Sequence, residues 1–259
     1  MRQRRPAGFT LVEVIFAVTL FGLLVLIVFE MFVKGNKTAS KATWRVHAQQ
    51  AQRLGLRQAK ELLQASSYPT VIRIGDFIEV KDGYRMGLGD TASVEAGAGT
   101  SLTSYGFTAE DWIMRFYSCQ PCEDVEYTGS TEETRVGTAA GVALQLVPRA
   151  GAPGLFELWV ETARADVSWD PDAGDLVVGD FGTPERRRLM YDVESVSVLL
   201  PTTRTADGLY VPSGSVVELG AVCVDPWDRR MRLRESTRVE VNVEIDPTPT
   251  DVDATFVAP

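Results

Sequence analysis

The chain has 259 residues, of which 26 are basic and 35 are acidic, so its formal net charge at neutral pH is −9. This acidic balance argues against a nucleic-acid-binding surface, which normally needs a clustered excess of lysine and arginine. Hydrophobic residues make up 45% of the chain, and we therefore expect most of it to fold around a core rather than remain disordered.

The first predicted element is a membrane-spanning helix. A short basic leader, MRQRRPA, precedes the apolar segment GFTLVEVIFAVTLFGLLVLIVFEMFVK, which covers residues 8–34. From Phe9 to Phe29 this segment runs for 21 residues with one charged side chain, Glu13. A helix rises about 1.5 Å per residue, so a run of this length can cross a hydrocarbon core of about 30 Å.

Glu13 lies inside the apolar segment, where an ionised side chain raises the free energy of membrane insertion. An ionised carboxylate inside a membrane is by default a functional group with a cationic partner. A cut between Gly8 and Phe9 provides that partner, because the new ammonium group of Phe9 lies one helical turn from Glu13, in the same chain or in a neighbouring one. The cut also removes the three arginines of the leader, which changes the formal charge from −9 to −12.

The leader followed by Gly8, Phe9, Thr10, Leu11 and Glu13 resembles the class III signal of type IV prepilins and type II secretion pseudopilins. The resemblance covers the leader and the apolar segment only. It implies that a membrane prepilin peptidase cuts after Gly8 and N-methylates Phe9, and that Glu13 guides the subunit into a helical filament. It also implies partners: other major and minor pilins or pseudopilins, the inner-membrane assembly platform and membrane lipid.

Two other interpretations fit part of the amino-terminal segment. A secretory signal peptide has a similar basic start, but its cut follows the apolar run at a small-x-small site, and the nearby candidate is Ser40 to Ala42 with Lys41 between them. A plain membrane anchor fits the length and the basic flank, but it gives no reason for the sequence GFTLVE.

The helical pattern continues past the membrane segment. No proline lies between Pro6 and Pro69, and small or apolar residues recur on one helical face: Trp44, Ala48, Ala51, Gly55, Ala59 and Leu62. We therefore predict one helix of about 55 residues that begins in the membrane and packs this face against a sheet. The alternative is two helices broken near Gly35 and Asn36, because Gly-Asn is a good helix stop.

After Pro69 the composition favours β-strands. Branched and aromatic residues, several in period-two alternation, predict strands at 71–80, 112–118, 142–147, 155–162, 189–200, 216–224 and 238–245. Segment 83–108 is predicted as loop or irregular β, segments 128–141 and 166–180 as loops, and the tail from Asp246 as loose. We expect an antiparallel sheet that packs on the helix.

Three cysteines, Cys119, Cys122 and Cys223, lie in the part expected outside the cytoplasm, where thiols tend to pair, so we expect one disulfide and one odd thiol. The sequence leaves the pairing open. Cys119 with Cys122 closes a small loop, whereas Cys223 with either of them joins distant strands. The C-x-x-C spacing also occurs in redox and zinc sites, but the segment after it reaches Thr128–Ser130 too soon for the helix that a redox thiolate needs, so a structural disulfide is favoured.

Aspartates crowd the segment 166–180, and Asp170, Asp172 and Asp175 are weak calcium candidates because clustered carboxylates bind that ion and some pseudopilins do so. Their spacing is not that of an EF-hand loop, and acids also favour turns, so no cofactor is expected. The single histidine, His47, lies on the predicted helix, which argues against hydrolase triads. We expect no enzyme activity.

These features predict an α+β, type IV pilin-like fold in which a long N-terminal helix packs on a C-terminal antiparallel β-sheet domain. The expected parts are a leader at 1–8, a transmembrane half-helix at 9–33, an amphipathic half-helix at 34–68 and a β-rich domain at 69–259, with the chain crossing the bacterial inner membrane once and its β-domain outside the cytoplasm.

The resemblance implies a minor pilin or minor pseudopilin, similar to the W-type or J-type, that initiates or caps a type IV pilus or a type II secretion pseudopilus. Major pilins commonly carry a helix-kinking proline near the end of the apolar stretch, where this chain has Glu30 instead. No nucleic-acid partner is expected. The alternative function is a membrane-anchored exported protein with a redox or binding role through Cys119 and Cys122.

Overall fold

A computed structural model describes residues 10–66, 70–74, 77–81, 86–89, 93–96, 102–121, 134–170, 172, 175–204, 210–212, 216–241 and 245–246. The chain divides into two compact units, the first ending at Val46 and the second beginning at His47.

Helix α1 runs from Leu11 to Gln64, which is 54 residues, or about 80 Å. Gly35 and Asn36 do not end it, so the prediction of one continuous helix is confirmed and the alternative of two helices is wrong. A single glycine costs a helix about 1 kcal/mol relative to alanine, which the neighbouring turns offset here. Local contacts support the helix beside Gly35, because Glu30 and Lys34 form an ion pair of 2.6 Å at i,i+4 spacing.

The first unit exposes the apolar half of α1 along its length. Between Leu11 and Phe32 every large apolar side chain is at least 47% exposed. The most apolar stretch of the helix has a mean hydropathy of 2.9, and none of it is buried within the chain. Such a surface has no protein core to join, and its length and composition fit a membrane-spanning helix.

The second unit contains the strands. They are β1 (Thr70–Ile74), β2 (Phe77–Lys81), β3 (Met86–Leu88), β4 (Ser93–Ala96), β5 (Leu102–Phe107), β6 (Asp111–Pro121), β7 (Thr134–Pro148), β8 (Phe156–Asp170), β9 (Asp175–Val178), β10 (Glu185–Arg204), β11 (Tyr210–Pro212), β12 (Val216–Val224), β13 (Arg232–Glu240) and β14 (Ile245–Asp246).

Twelve of these strands form one sheet, and β1 and β2 form a separate hairpin. The main path of the sheet is β13-β12-β10-β8-β7-β6-β3-β14, with β4 beside β5, β9 beside β8, and both β5 and β11 beside β10. The described pairings are antiparallel except that of β14 with β3. A long helix on an antiparallel sheet confirms the predicted α+β, type IV pilin-like fold class.

Strand β10 changes partners along its length. Its first part pairs with β8, and its later part pairs with β12, β5 and β11. The register shifts between Met190 and Val193, and Asp192 within this step has a left-handed backbone with a φ of 59°. The buried carboxylate of Asp192 forms an ion pair with Arg149, which follows β7. The irregular step is therefore tied to the neighbouring β7–β8 turn.

The second half of α1 packs on one face of the sheet. Within the second unit, the buried residues of α1 are Ala48, Gln52, Gly55, Leu56, Ala59 and Leu63. At Gly55 the helix comes close to β10, because a Cβ atom there would lie 2.9 Å from the carbonyl oxygen of Leu189 and 2.8 Å from Cε of Met190. The predicted helical face is confirmed, but the buried face is rotated slightly around the helix axis. Ala51 and Leu62, which were predicted to be on this face, are half-buried, whereas their neighbours Gln52 and Leu63 are buried.

Gln52 is a buried polar residue that the predicted apolar face did not include. Its Nε2 donates a hydrogen bond of 2.7 Å to the carbonyl oxygen of Ala221 in β12 and one of 3.4 Å to that of Leu233 in β13. A buried amide is stable only with such partners. Gln52 therefore links the helix to two neighbouring strands.

Some predicted boundaries are wrong. The predicted strand 71–80 is two antiparallel strands, β1 and β2, in which Ile74 pairs with Phe77. The predicted loop 128–141 contains the start of β7, and the predicted loop 166–180 contains the end of β8 and all of β9. The start of β7 contains glycine and alanine, which have low β-propensity, and it pairs because the neighbouring strands supply partners. In the segment 166–180, valine and tryptophan favour strands despite the aspartates between them.

The last predicted strand, at 238–245, is also displaced. Strand β13 begins at Arg232 and ends at Glu240, and its first residues are mostly charged or polar. β13 is an edge strand, where charged side chains protect against unwanted pairing, so alternation of apolar residues is a poor guide to it. The tail beyond residue 246 lies outside the described residues.

Candidate functional site

The amino terminus of α1 is closed by a reciprocal pair of side chains. Thr10 precedes the first helical residue, and its backbone N–H and its hydroxyl each donate a hydrogen bond of 3.0 Å to Oε2 of Glu13. In return, the backbone N–H of Glu13 donates to the Thr10 hydroxyl oxygen at 3.3 Å. This is a capping box, which satisfies backbone N–H groups that a helix otherwise leaves without partners.

The capping role explains part of the unusual position of Glu13. Its carboxylate lies near the positive end of the helix dipole, where an anion is favourable. Among the residues that the structure describes, the other oxygen, Oε1, has no hydrogen-bond or ion-pair partner, and Glu13 is exposed. One oxygen is thus used by the helix and the other is open to a cation.

Gly8 and Phe9, the predicted processing residues, lie outside the described residues. The predicted cut, between Gly8 and Phe9, would leave Thr10, the residue that caps the helix, as the second residue of the processed chain. Thr10 belongs to the sequence motif, but its capping role was not predicted from the sequence. The signal for that role is the spacing T-x-x-E before an apolar run.

The cysteines lie on two strands. Cys223 is a free thiol in β12 and is 1% exposed, and burial raises its pKa to about 12. Cys119 lies in β6, opposite Ala139 of β7, and the structure describes its backbone but not its side chain; Cys122 lies outside the described residues. The sequence left the pairing open; the free thiol of Cys223 contradicts the two pairings that include it, and the pairing of Cys119 with Cys122 is untested.

The aspartates of segment 166–180 serve the β8–β9 hairpin. Asp170 ends β8 and pairs with Asp175 at the start of β9, and its carboxylate accepts a hydrogen bond of 2.9 Å from the backbone N–H of Asp172. Within the described part of the chain, no group of three or more His, Cys, Asp or Glu side chains is arranged to hold a metal ion. His47 is exposed on α1.

A groove of about 610 Å³ lies beside the end of α1. It is lined by Leu62, Val160, Thr162, Arg164, Glu185, Arg186 and Arg187. These lining residues include one carboxylate and neither a histidine nor a thiol, so they do not form an acid–base pair or an activated nucleophile.

Comparison with known proteins gives a match at the amino terminus of the chain. Residues 3–29 match the family model described as the prokaryotic N-terminal methylation motif. No curated protein and no solved structure matches the chain. The motif includes the predicted cut, the capping threonine and Glu13. The chain therefore carries a type IV pilin-like prepilin signal on a helix that fits membrane anchoring.

Proposed function

We propose that this chain is a minor pilin or minor pseudopilin, a membrane-anchored subunit that initiates or caps a type IV pilus or a type II secretion pseudopilus. The observation that carries the proposal is the prepilin signal on an exposed apolar helix, which continues without a break into a folded β-domain. A signal of this kind suggests a prepilin peptidase and other pilins as partners.

Processing would complete the site at the helix amino terminus. A cut after Gly8 creates an ammonium group on Phe9, next to the capping residue Thr10. Oε1 of Glu13 is the open oxygen that can accept this ammonium group, in the same chain or in a neighbouring subunit. In lipid or in a filament core such a pair is hardly screened, so it would align one subunit with the next.

Two features support a minor rather than a major role. The helix contains no proline between Leu11 and Gln64, whereas major pilins commonly have a kinking proline near the end of the apolar stretch. The β-domain is large, with a sheet of twelve strands among the described residues. We also propose that the protein is not an enzyme and needs no cofactor, in keeping with the residues that line the described groove.

The test is processing at Gly8. Gly8→Val should obstruct the peptidase while the apolar helix still inserts, so the variant should accumulate in the membrane as a precursor eight residues longer. Gly22→Val is the matched control, because Gly22 lies in α1 after the predicted cut, with nothing within 4 Å of an added Cβ atom. Mass spectrometry of the parent chain should find N-methylated Phe9 as the first residue.

An intact Met1, a cut near Ala42, or normal maturation of Gly8→Val would contradict the proposal. Maturation of the Gly22→Val control would show that the effect belongs to the cut site and not to a glycine-to-valine change elsewhere in the amino-terminal segment.

A further inference from the structure

Helix α1 carries a basic face where its apolar half ends. The cations are Lys34, Lys37, Lys41 and Arg45, and all four side chains are exposed. Their spacing of three, four and four residues places them within an arc of about 80° around the helix axis. The sequence contains no acidic residue at 31–46, so this part of the helix surface carries one sign of charge. We call these four residues the basic face.

One carboxylate lies next to the basic face along the helix. Glu30 is one turn before Lys34 and forms with it the ion pair of 2.6 Å. Glu30 is 67% exposed and Lys34 is 74% exposed, so the pair contributes little energy and leaves the lysine accessible. Even with this pair counted as neutral, three cations remain on the face. The pair also shows that Lys34 leans toward the amino terminus of the helix, as helical side chains generally do.

The heights of these cations above the apolar segment follow from the unbroken helix. Phe32 is the last large exposed apolar residue of that segment. At about 1.5 Å per residue, the Cα atoms of Lys37, Lys41 and Arg45 lie about 8, 14 and 20 Å beyond that of Phe32. Each side chain covers the preceding turn of about 5 Å, so the three charged groups lie at about 2, 8 and 14 Å.

These heights fit the surface of a bilayer. The polar headgroup layer on each side of the hydrocarbon core is about 5–8 Å thick. The ammonium groups of Lys34, Lys37 and Lys41 therefore lie within this layer or at its edge, whereas the guanidinium of Arg45 lies beyond it. In the proposed topology the basic leader lies on the other side of the membrane. Lysines at the exported end do not favour that orientation, so the charge bias of insertion does not explain them.

We propose that Lys34, Lys37 and Lys41 form a binding surface for the headgroups of anionic phospholipids. Two observations select this ligand. The surface carries one sign of charge, opposite to that of an anionic headgroup, and it continues directly from an apolar segment that fits a membrane span. Because the cations lie on one side, anionic lipids would collect on that side of the helix. The proposal rests on the membrane anchoring that is part of the function proposed above, and it uses neither processing nor Glu13.

The test is the lipid selectivity of the full chain reconstituted in phosphatidylcholine vesicles. A trace of spin-labelled phosphatidylglycerol or spin-labelled phosphatidylcholine is added, and electron paramagnetic resonance measures the fraction of each lipid that the protein immobilises. The parent chain should prefer phosphatidylglycerol by about twofold or more, and the preference should fall as salt rises. The double variant Lys37→Gln, Lys41→Gln should lose most of this preference, while its leader arginines stay the same as in the parent.

Two single variants test the geometry of the surface. Arg45→Gln is the matched control, because it removes a cation from the same face at a height beyond the headgroups, and it should keep the parent's preference. Glu30→Gln should raise the preference, because it releases Lys34 from its ion pair. All these positions are exposed on the helix, and circular dichroism should show the parent's helix content in each variant.

Three outcomes would overturn the proposal. They are equal immobilisation of the two lipids by the parent, a preference that survives the loss of both lysines, and an equal loss of preference in Arg45→Gln. The last result would show that the basic face serves a protein partner above the membrane and not the headgroups.

Vesicle flotation separates this proposal from the pilin proposal. A chain that does not float with the vesicles contradicts membrane anchoring, and with it both proposals. A chain that floats but shows no lipid preference contradicts the headgroup surface alone. Gly8→Val should keep the parent's lipid preference, so a failure of processing leaves this proposal intact.

Discussion

At the scale of single residues, the carboxylate of Glu13 has one observed role, which is to cap the helix, and one proposed role, which is to pair with a cation. Oε2 accepts hydrogen bonds from Thr10 and closes the helix end, and Oε1 is left for a cation. A glutamine can keep a capping box but carries no charge, whereas alanine loses both. Glutamate, glutamine and alanine at position 13 therefore distinguish the effect of capping from the effect of charge pairing.

We predict that Glu13→Gln inserts and folds normally but fails to join a filament, because it keeps the cap and loses the charge. Glu13→Ala should fail as well and should also lose about 1 kcal/mol of helix capping. Glu13→Asp, shorter but anionic, should be the mildest. The measurement is co-purification with other pilins at equal membrane levels, and assembly of all three variants like the parent would make Glu13 an incidental polar residue.

Cys223 should make the stability of the β-domain sensitive to alkaline pH. Burial raises the pKa of its thiol from the ordinary value of 9.0 to about 12, so above pH 9 the unfolded chain releases a proton that the folded chain retains. The stability from this group is complete below pH 9 and is lost as pH rises toward 12. Within that window the loss should be about 1.4 kcal/mol per pH unit.

The comparison that isolates this effect is Cys223→Val, which keeps an apolar side chain of similar volume. Chemical unfolding of the parent and the variant between neutral pH and pH 11 should give curves that diverge only at the alkaline end. Parallel curves over the whole range would show that the thiol does not titrate with the fold. The native thiol should also resist alkylation until the domain is unfolded.

At the scale of elements, helix and sheet come close together at Gly55. An added Cβ atom would lie 2.9 Å from a backbone carbonyl oxygen of Leu189, which cannot move without disturbing β10. The small residue is thus required by the strand that the helix crosses, and not by the helix itself.

Gly55→Ala should therefore lower the thermal stability of the β-domain by about 1–3 kcal/mol, although alanine favours a helix by about 1 kcal/mol. Gly35→Ala is the matched control, since nothing lies within 4 Å of an added Cβ atom there, and it should not lower stability. The measurement is near-UV circular dichroism during heating of the full chain in detergent. Equal melting of the two variants would contradict the observed helix-on-sheet contact.

At the scale of the whole molecule, the second unit begins within α1, at His47. Leu56, Ala59 and Leu63 belong to the same core cluster as the sheet residues, so the helix supplies one side of that core. Removing the apolar first half of α1 should leave this core intact, whereas removing the whole helix should expose the core to solvent.

We predict that a truncated chain beginning at Asn36 is soluble without detergent and unfolds cooperatively, and that a chain beginning after Pro69 aggregates. The measurements are solubility on expression and thermal unfolding of the soluble fraction. Equal solubility and stability of the two truncated chains would show that the helix does not cover the sheet.

The sequence alone determined the anchor, the prepilin signal and the continuous helix, because these depend on local properties: hydropathy over a membrane-length run, motif spacing and the absence of proline. It also determined most of the apolar strands, including β10 and β12. The spacing T-x-x-E even contained the capping box, which was not recognised as such.

Only the tertiary structure decided which residues of low β-propensity join the sheet, where the strands pair and which helix residues are buried. The start of β7, the charged edge strand β13 and the burial of Gln52 all depend on partners far away in sequence, which local preference does not encode. Residues 149–155 and 225–231 come together for the same reason, since β8 and β12 both pair with β10.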